Sequence, residues 1–395
     1  MGKVSIDVHD IHQEVMGIAE ELKKLSLFIH DNPELGLQEY KACEAQTEIL
    51  EKHGFHVEKN FCGIETAYKA VYKGAKSGPK IAMLAEYDAL PELGHGCGHN
   101  MIAMVSVGSG IAMRKYADAY GAEIAVIGTP AEETAGAKVE MAEKGAFNDF
   151  DVVMMAHPYN GTFDSMNSMA INCRRFSFYG QTAHAAAAPY EGRNALDAMI
   201  NFFNMVNALR QQTREDARIH GVITNGGTAP NIIPDYTEAE FYIRAKKSAY
   251  LEELTEKVID CAKGAALGTG TRMECVPSEV DFMDTCTNAY LAELQRQSME
   301  ALGFQVTRMI DQVMPGSSDL GDVSYVCPSV QCTYDITEGK GYGAHTREFA
   351  ACAASEYAME KALLVIEGFV MTGIKLMTDP SHLEKIKEEF REIKK

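Results

Sequence analysis

A chain of 395 residues is too long for one ordinary core and suits two domains. Apolar residues make up 46% and charged residues 24%, the balance of a soluble globular protein. The formal charge of −19 excludes a phosphate-neutralising nucleic-acid partner, and no run of about 18 apolar residues offers a membrane span.

In chain order, "MGKVSIDVHDIHQEVMGIAEELKK" reads as an amphipathic helix with acids throughout rather than a secretory signal. Ile6 stands where a myristoylation signal needs Ser or Thr, so that reading fails as well. Three β-like runs follow, "KIAMLAEYDAL", "AEIAVIGTP" and "FDVVMMAHP", separated by helical stretches such as "NMIAMVSVGSGIAMRKYADAY". Strands alternating with helices predict βαβ units and a mostly parallel sheet.

The strand-like "INCRRFSFYG" then opens a segment with a different grammar. The helix "RNALDAMINFFNMVNALRQQ", the strands "RIHGVIT" and "DYTEAEFYIRA", the helix "AYLEELTEKVIDCAKGAALG" and the strand "TRMECVP" complete it. That βαββαβ order predicts an inserted ferredoxin-like domain at 171–283, flanked by a discontinuous domain of 1–170 and 284–395. Alternation places Ala239, Phe241 and Ile243 against its helices and Glu240, Tyr242 and Arg244 on the other face. Its open sheet edge suits a homodimer. A last strand, "PSVQCTYD", precedes a helix predicted from Glu348 to about Gly373, and "EKIKEEFREIKK" ends the chain as an exposed mixed-charge helix. Ten scattered cysteines read as reduced thiols of a cytoplasmic protein.

In open α/β sheets, ligands bind beyond the carboxyl ends of the strands. Glu86, Asp88 and the run "GHGCGHN" with His95, Cys97 and His99 follow the first of these strands. Glu132 and Glu133 follow the second, His157 the third, and "GKGYGAHTREF" with His345 the last. Taken singly, each has a structural explanation: Cys97 as a small inert residue, the two glutamates as a helix start, His157 as a satisfied buried histidine, His345 as a cap. Taken jointly, the donors converge on one sheet edge. Thiolate and imidazole favour Zn-like ions, and carboxylates admit Mn or Co. Five mixed donors exceed one tetrahedral ion, which predicts two divalent ions and metal-assisted hydrolysis with an adjacent carboxylate as general base.

The chain resembles the dinuclear metallo-exopeptidases and amidohydrolases that include aminoacylases and carboxypeptidase G, metallopeptidase family twenty, subfamily D. The resemblance runs from "IHDNPELGLQEYKA" through "AEYDALPELGHGCGHN", "GTPAEET", "GQTAHAAAAPYEGRNALDA" and "NGGTAPNIIPD" to "HTREF". Its wording is most similar to the aminobenzoyl-glutamate hydrolase branch, which also contains dipeptidases. It implies Cys97 as bridging ligand, His99 and His157 on one metal, and Glu133 and His345 on the other. Glu132 is implied as general base, Asp88 as an aspartate that orients the site from behind the ligands, and His184 as the group that meets the scissile carbonyl across a dimer. Asn231 and Arg244 resemble substrate-holding positions, and Ser317, Ser318 and Asp319 of "PGSSDLGD" fall in a loop similar to one lining the pocket. Asn100 departs from the aspartate common in relatives, and Glu86 stands where other branches carry a metal-binding histidine.

The expected activity is hydrolysis of the amide of a dipeptide or N-acyl amino acid with a free carboxylate, aminobenzoyl-glutamate-like or dipeptide, with N-acetyl amino-acid deacetylation on the same site as the alternative. Two readings from other classes are a cysteine hydrolase using Cys97 and a non-catalytic, metal-stabilised binding protein.

Overall fold

The computed structural model describes residues 6–393. Met1–Ser5, where the lipidation reading falls, and the last two lysines of the C-terminal run lie outside them. Internal contacts divide the chain into two compact units. The first takes in the described residues up to Asn167, Thr285–Met314 and Asp319 onward; the second is Ser168–Asp284 with Pro315–Ser318.

The first unit opens with helices α1 (Val8–Asp31) and α2 (Tyr40–Lys52). Asp7 caps α1 by accepting the His9 and Asp10 amides, as a short acid at an N-cap should. Strands β1 (His56–Lys59), β2 (Tyr68–Lys73) and β3 (Lys80–Ala85) lead to helix α3 (His99–Tyr120), β4 (Glu123–Gly128), helix α4 (Ala137–Glu143) and β5 (Val152–Tyr159).

The second unit holds β6 (Ala170–Tyr179), α5 (Ala195–Leu209), β7 (Arg218–Asn225), β8 (Tyr236–Ala245), α6 (Ser248–Thr269) and β9 (Arg272–Pro277). They form an antiparallel sheet in the order β7-β8-β6-β9. Burial alternates along β8 as predicted: Ala239, Phe241 and Ile243 are buried in a cluster with Phe202 of α5 and Leu254 of α6. Strand β7 is an exposed edge that shows Val222 and Ile223 to solvent.

The chain returns to the first unit as α7 (Ala289–Ala301), α8 (Leu320–Val326), β10 (Ser329–Asp335), α9 (Arg347–Cys352), α10 (Glu356–Thr378) and α11 (Pro380–Ile393). The single helix expected from Glu348 is two. The chain breaks after Cys352, and Ser355 starts α10 anew by capping the Ala358 amide at 3.1 Å.

The large sheet runs β1-β2-β4-β3-β5-β10, with β4, β3, β5 and β10 parallel and β1 and β2 added antiparallel at one edge. Its parallel strands are apolar on both faces because both are covered. Ile81 and Met83 join a core with α1, α3, α7 and α10, whereas Ala82 and Leu84 join another with Met141 of α4 and Val323 of α8. The four parallel carboxyl ends therefore emerge side by side between the helix layers.

Candidate active site

Each chemically active side chain of the first unit leaves one of those strand ends. Beyond β3, Glu86 and Asp88 are buried, and the glycine-rich turn delivers Cys97 and His99 to the start of α3. Gly98 has φ +75°, and a Cβ there would come within 2.7 Å of Pro158 Cγ. Only glycine thus lets this turn lie against the strand that carries His157. His157 lies within β5, near its carboxyl end, rather than after it.

The donors form overlapping groups. Potential ligand atoms of Cys97, His99 and His157 lie within 4.8 Å of one another, and so do those of Cys97, Glu133 and His345. Cys97 belongs to both sets. A third set joins His99, Glu132 and Glu133. His345 Nε2 is 2.9 Å from Cys97 Sγ and 3.4 Å from Glu133 Oε1. Its backbone has φ +64°, uncommon for a residue with a side chain, and its N–H donates to Gly96 O at 2.9 Å. The loop after β10 is thereby tied to the cysteine turn.

Asp88 orients two members of the set. Its Oδ1 accepts from His99 Nδ1 at 2.9 Å and its Oδ2 accepts the Glu133 amide at 2.9 Å. This fixes the His99 tautomer and turns Nε2 toward the other donors. His157 is set similarly by Nδ1 donating to Pro158 O at 2.7 Å. Among the described residues, buried His99 Nε2 has no well-formed hydrogen bond, and Glu133 Oε1 has only the long 3.4 Å contact with His345. Orphaned donors of this kind, beside a cysteine and further imidazoles, fit a metal centre.

The electrostatics divide the two glutamates. Burial, then the charges of Glu86, Asp319 and Glu133, pushes the Glu132 carboxyl well above the usual carboxylate range. Burial alone would raise Glu133 too, but hydrogen bonding to His345 and the charge of His99 hold it down at about 2. One neighbour is thus a firm anion and the other a proton acceptor suited to higher pH. Burial also pushes the Cys97 thiol up, so this environment alone does not make a free thiolate.

Beside them sits an ion cluster that sequence reasoning did not find. Lys138 is fully buried, its Nζ 2.7 Å from both Glu86 Oε1 and Asp319 Oδ1. Its amide also donates to Asp319 Oδ2 at 3.1 Å. Asp319, loosely expected among pocket contacts, is therefore a buried counter-charge. Glu86 Oε2 lies 3.4 Å from His99 Nε2. Asn100 points elsewhere, its Nδ2 donating to Ser26 Oγ and to Ala353 O at 2.9 Å each. The one available signal was a lone lysine in the otherwise small and apolar start of α4. His95 is buried against Ile29 O at 3.1 Å and belongs to none of the donor groups.

The other expected residues lie in the second unit. His184 is exposed, and its Nδ1 accepts the Ala186 and Ala187 amides at 3.3 and 3.2 Å, which leaves the ring proton on Nε2. The structure brings it to Asn231: the Ala185 amide donates to Asn231 O at 3.0 Å, and His184 bridges Ile232. An open pocket of about 380 Å³ adjoins, lined by Ala185, Asn194, Gly227, Thr228 and Ile232. Arg244 Nη1 donates to Ser317 Oγ at 2.6 Å, and that hydroxyl donates to Met169 O at 2.7 Å. Ser318 is half-buried. Arg174 and Arg175 pair with Asp281 and Glu240, whereas Arg244 has no carboxylate in ion-pair reach among the described residues.

Residues 166–269 match the model of the peptidase dimerisation domain of M20 proteins. A mouse Xaa-Arg dipeptidase is 36% identical over 389 residues, covering 94% of this chain and 89% of the mouse protein. The chain belongs to the M20 peptidase family. It is therefore a hydrolase of the peptidase and amidohydrolase kind. A p-aminobenzoyl-glutamate hydrolase polypeptide from Escherichia coli is 28% identical, covering 92% of this chain and 91% of that protein. The fold is shared with a Bacillus subtilis protein described as a dinuclear metal-binding M20 peptidase, at a TM-score of 0.69 and 19% identity over 92% of this chain and 99% of that one. An aminobenzoyl-glutamate utilization protein from Klebsiella pneumoniae matches at a TM-score of 0.70 and 18% identity over 93% and 98%.

Proposed function

We propose that this M20 hydrolase cleaves the amide bond of dipeptides or N-acyl amino acids that carry a free carboxylate, with dipeptides as the first class to test. The observation that carries the mechanism is the membership of Cys97 in two donor triads at once. His99 and His157 would complete one divalent ion, Glu133 and His345 the other, and Mn or Zn suits the mixed donors. When bound, the ions supply Lewis acidity to the scissile carbonyl and acidify the attacking water.

Glu132 takes the proton of that water and returns it to the leaving amine; burial and the neighbouring acids raise its carboxyl and so its affinity for that proton. Glu133, held ionised, serves as ligand rather than base. Asp88 keeps His99 in the tautomer that presents Nε2. In the second unit, Nε2–H of His184 is a donor suited to a carbonyl oxygen that gains negative charge. Arg244, lacking an acid partner, suits the substrate carboxylate, with Asn231, Ser317 and Ser318 as further polar contacts.

Pairing of two copies through the exposed β7 edge would make the homodimer, with the second unit as lid and dimerisation domain. A reducing cytoplasm suits ten cysteines that are all free. Among the described residues no helix is long and apolar enough to cross a membrane. The Cys97–His345 contact is the feature that favours a cysteine hydrolase, but a raised thiol and three further donors argue against it.

The test is amine release from Xaa-Arg and other dipeptides, p-aminobenzoyl-glutamate and N-acetyl amino acids, with chelated enzyme and enzyme refilled with Mn or Zn. Metal-dependent cleavage, lost in Glu132→Gln with metal content intact, is the expected result. Full rates in that variant would remove Glu132 from its role, and chelator-resistant cleavage blocked by alkylation would favour the cysteine reading.

A further inference from the structure

We infer that Glu39 is a positioning residue for the reaction: its buried carboxylate clamps the backbone of Ala131 and so aims the Glu132 side chain. The inference rests on Glu132 being the base.

The chain between α1 and α2, "NPELGLQE", is packed directly on the loop after β4. Glu39 is fully buried, and its Oε1 accepts the Ala131 amide at 2.8 Å while its Oε2 accepts Thr66 Oγ1 at 2.9 Å. No cation is paired with it among the described residues; the Ala131 amide, the Thr66 hydroxyl and its own amide are what hold the carboxylate. A buried carboxylate kept at the cost of desolvation, with a backbone amide as its ligand, fixes that amide in place.

The amide so fixed belongs to a residue under strain. Ala131 has φ +59°, the left-handed region that glycine occupies freely and alanine does not. In that conformation its carbonyl closes the loop, accepting the Gly136 amide at 2.8 Å and the Thr134 amide at 3.3 Å. The next residue is Glu132. Gly36 marks how closely the two loops approach: a Cβ there would meet Thr134 Oγ1 at 2.0 Å and Ala131 Cβ at 2.9 Å. The same segment also holds the chain near Asp88, because the Ala89 amide donates to Glu34 O at 2.8 Å. Strain at a non-glycine residue beside a reacting group persists only where its surroundings enforce it, and Glu39 is the enforcing contact.

Cys97, His99 and His157 do not hang from this loop, so a change at Glu39 should leave that metal triad standing while it misdirects Glu132. Glu39→Gln weakens the clamp in either orientation: its NH2 faces the Ala131 amide, or it donates to Thr66 Oγ1 while a neutral oxygen replaces the charged one on that amide. Displacement of a catalytic group by about 1 Å costs on the order of 100-fold in rate, so kcat should fall at least about tenfold while KM moves less than about threefold. Metal content by elemental analysis should match the parent, because Glu133 on the same loop is held separately by its amide on Asp88. Glycine adopts the left-handed conformation without help, so adding Ala131→Gly to Glu39→Gln should recover most of the lost kcat.

The holoenzyme is assayed with whichever substrate it cleaves, with Glu132→Gln beside it. An E39Q kcat within about twofold of the parent, or an E39Q/A131G double variant no better than E39Q, overturns the clamp. Should E39Q not fold, Glu39→Asp, which withdraws the carboxylate by one methylene, takes its place with the same expected outcomes. Inactivity of E132Q with an unaffected E39Q would sink the clamp and leave the proposed function standing; an active E132Q would remove Glu132 from its role as base, and the clamp with it.

Discussion

Replacing Asp88 with Asn tests the geometry at its most constrained point. Both oxygens of the buried carboxylate are in use, one by His99 Nδ1 and the other by the Glu133 amide, each at 2.9 Å. Asparagine is almost isosteric but has only one acceptor oxygen, so its NH2 must face one of those two N–H groups. If it faces His99, the imidazole keeps its place only by moving its proton to Nε2, the nitrogen the site needs bare. Hydrogen bonds to a charged group contribute about 1.5–3 kcal/mol, and loss of such a supporting partner lowers metal affinity about 10–100-fold. That range corresponds to about 1.4–2.8 kcal/mol, consistent with one charged hydrogen bond. Competition titration of Zn or Mn against a chelator should therefore show one ion weakened by that factor in D88N. Turnover at saturating metal should recover in part, because Glu132 is untouched. Binding of both ions within twofold of the parent would refute the orienting role.

Lys138→Met leaves Glu86 and Asp319 buried without their cation, and breaking such a cluster costs about 3–5 kcal/mol, readable as a drop in denaturation midpoint; Asp319→Asn added to it should restore part of the loss. An unchanged midpoint would mean that the acids are neutral without Lys138. Arg244→Met should raise KM about tenfold or more for substrates with a free carboxylate and far less for their amides. Equal effects on both would remove Arg244 from carboxylate recognition. Burial raises the Glu39 carboxyl from 4.5 to about 7, with only Asp88 adding a charge of its own sign and no cation opposing it. Between those values the unfolded chain has lost a proton that the folded chain keeps, so this group's contribution to stability declines as pH rises through the window. At 1.36 kcal/mol per unit the decline totals about 3 kcal/mol. Urea unfolding at pH 5 and pH 8 should show that slope in the parent and not in E39Q; parallel behaviour of the two would refute it.

Much of this organisation was legible because it depends on local periodicity. Buried parallel strands read as apolar runs, and the two-residue alternation of β8 reappears as Ala239, Phe241 and Ile243 in the second unit's core. The donor residues were legible because each follows such a run. What escaped depends on pairing across the chain. β1 and β2 are short, half-polar strands that gain their identity from hydrogen bonding, β1 to β2 and β2 to β4. Lys138 and Asp319 are 181 positions apart, and neither alone signals an ion pair. The break before α10 hides in "ACAAS", where the helix formers on both sides conceal that Ser355 caps a new start.

Asn100 and Glu86 act in different places, and the cluster around Lys138 explains how the site accommodates Glu86. Asn100 is engaged with Ser26 and Ala353, so it seats α3 rather than facing the donor atoms. Glu86, by contrast, lies within 3.4 Å of His99 Nε2, and an unmatched carboxylate there would add negative charge to a pocket that already holds Glu132, Glu133 and Asp319. Lys138 offsets it at 2.7 Å while also holding Asp319. Histidine at position 86 would leave Lys138 with Asp319 as its remaining close partner and place a neutral donor beside His99. Glu86 and Lys138 are therefore best regarded as one unit, in which the acid at that position requires the buried lysine on α4. Lys138 thereby offsets part of the charge that Glu86 and Asp319 would otherwise place beside Glu132 and Glu133.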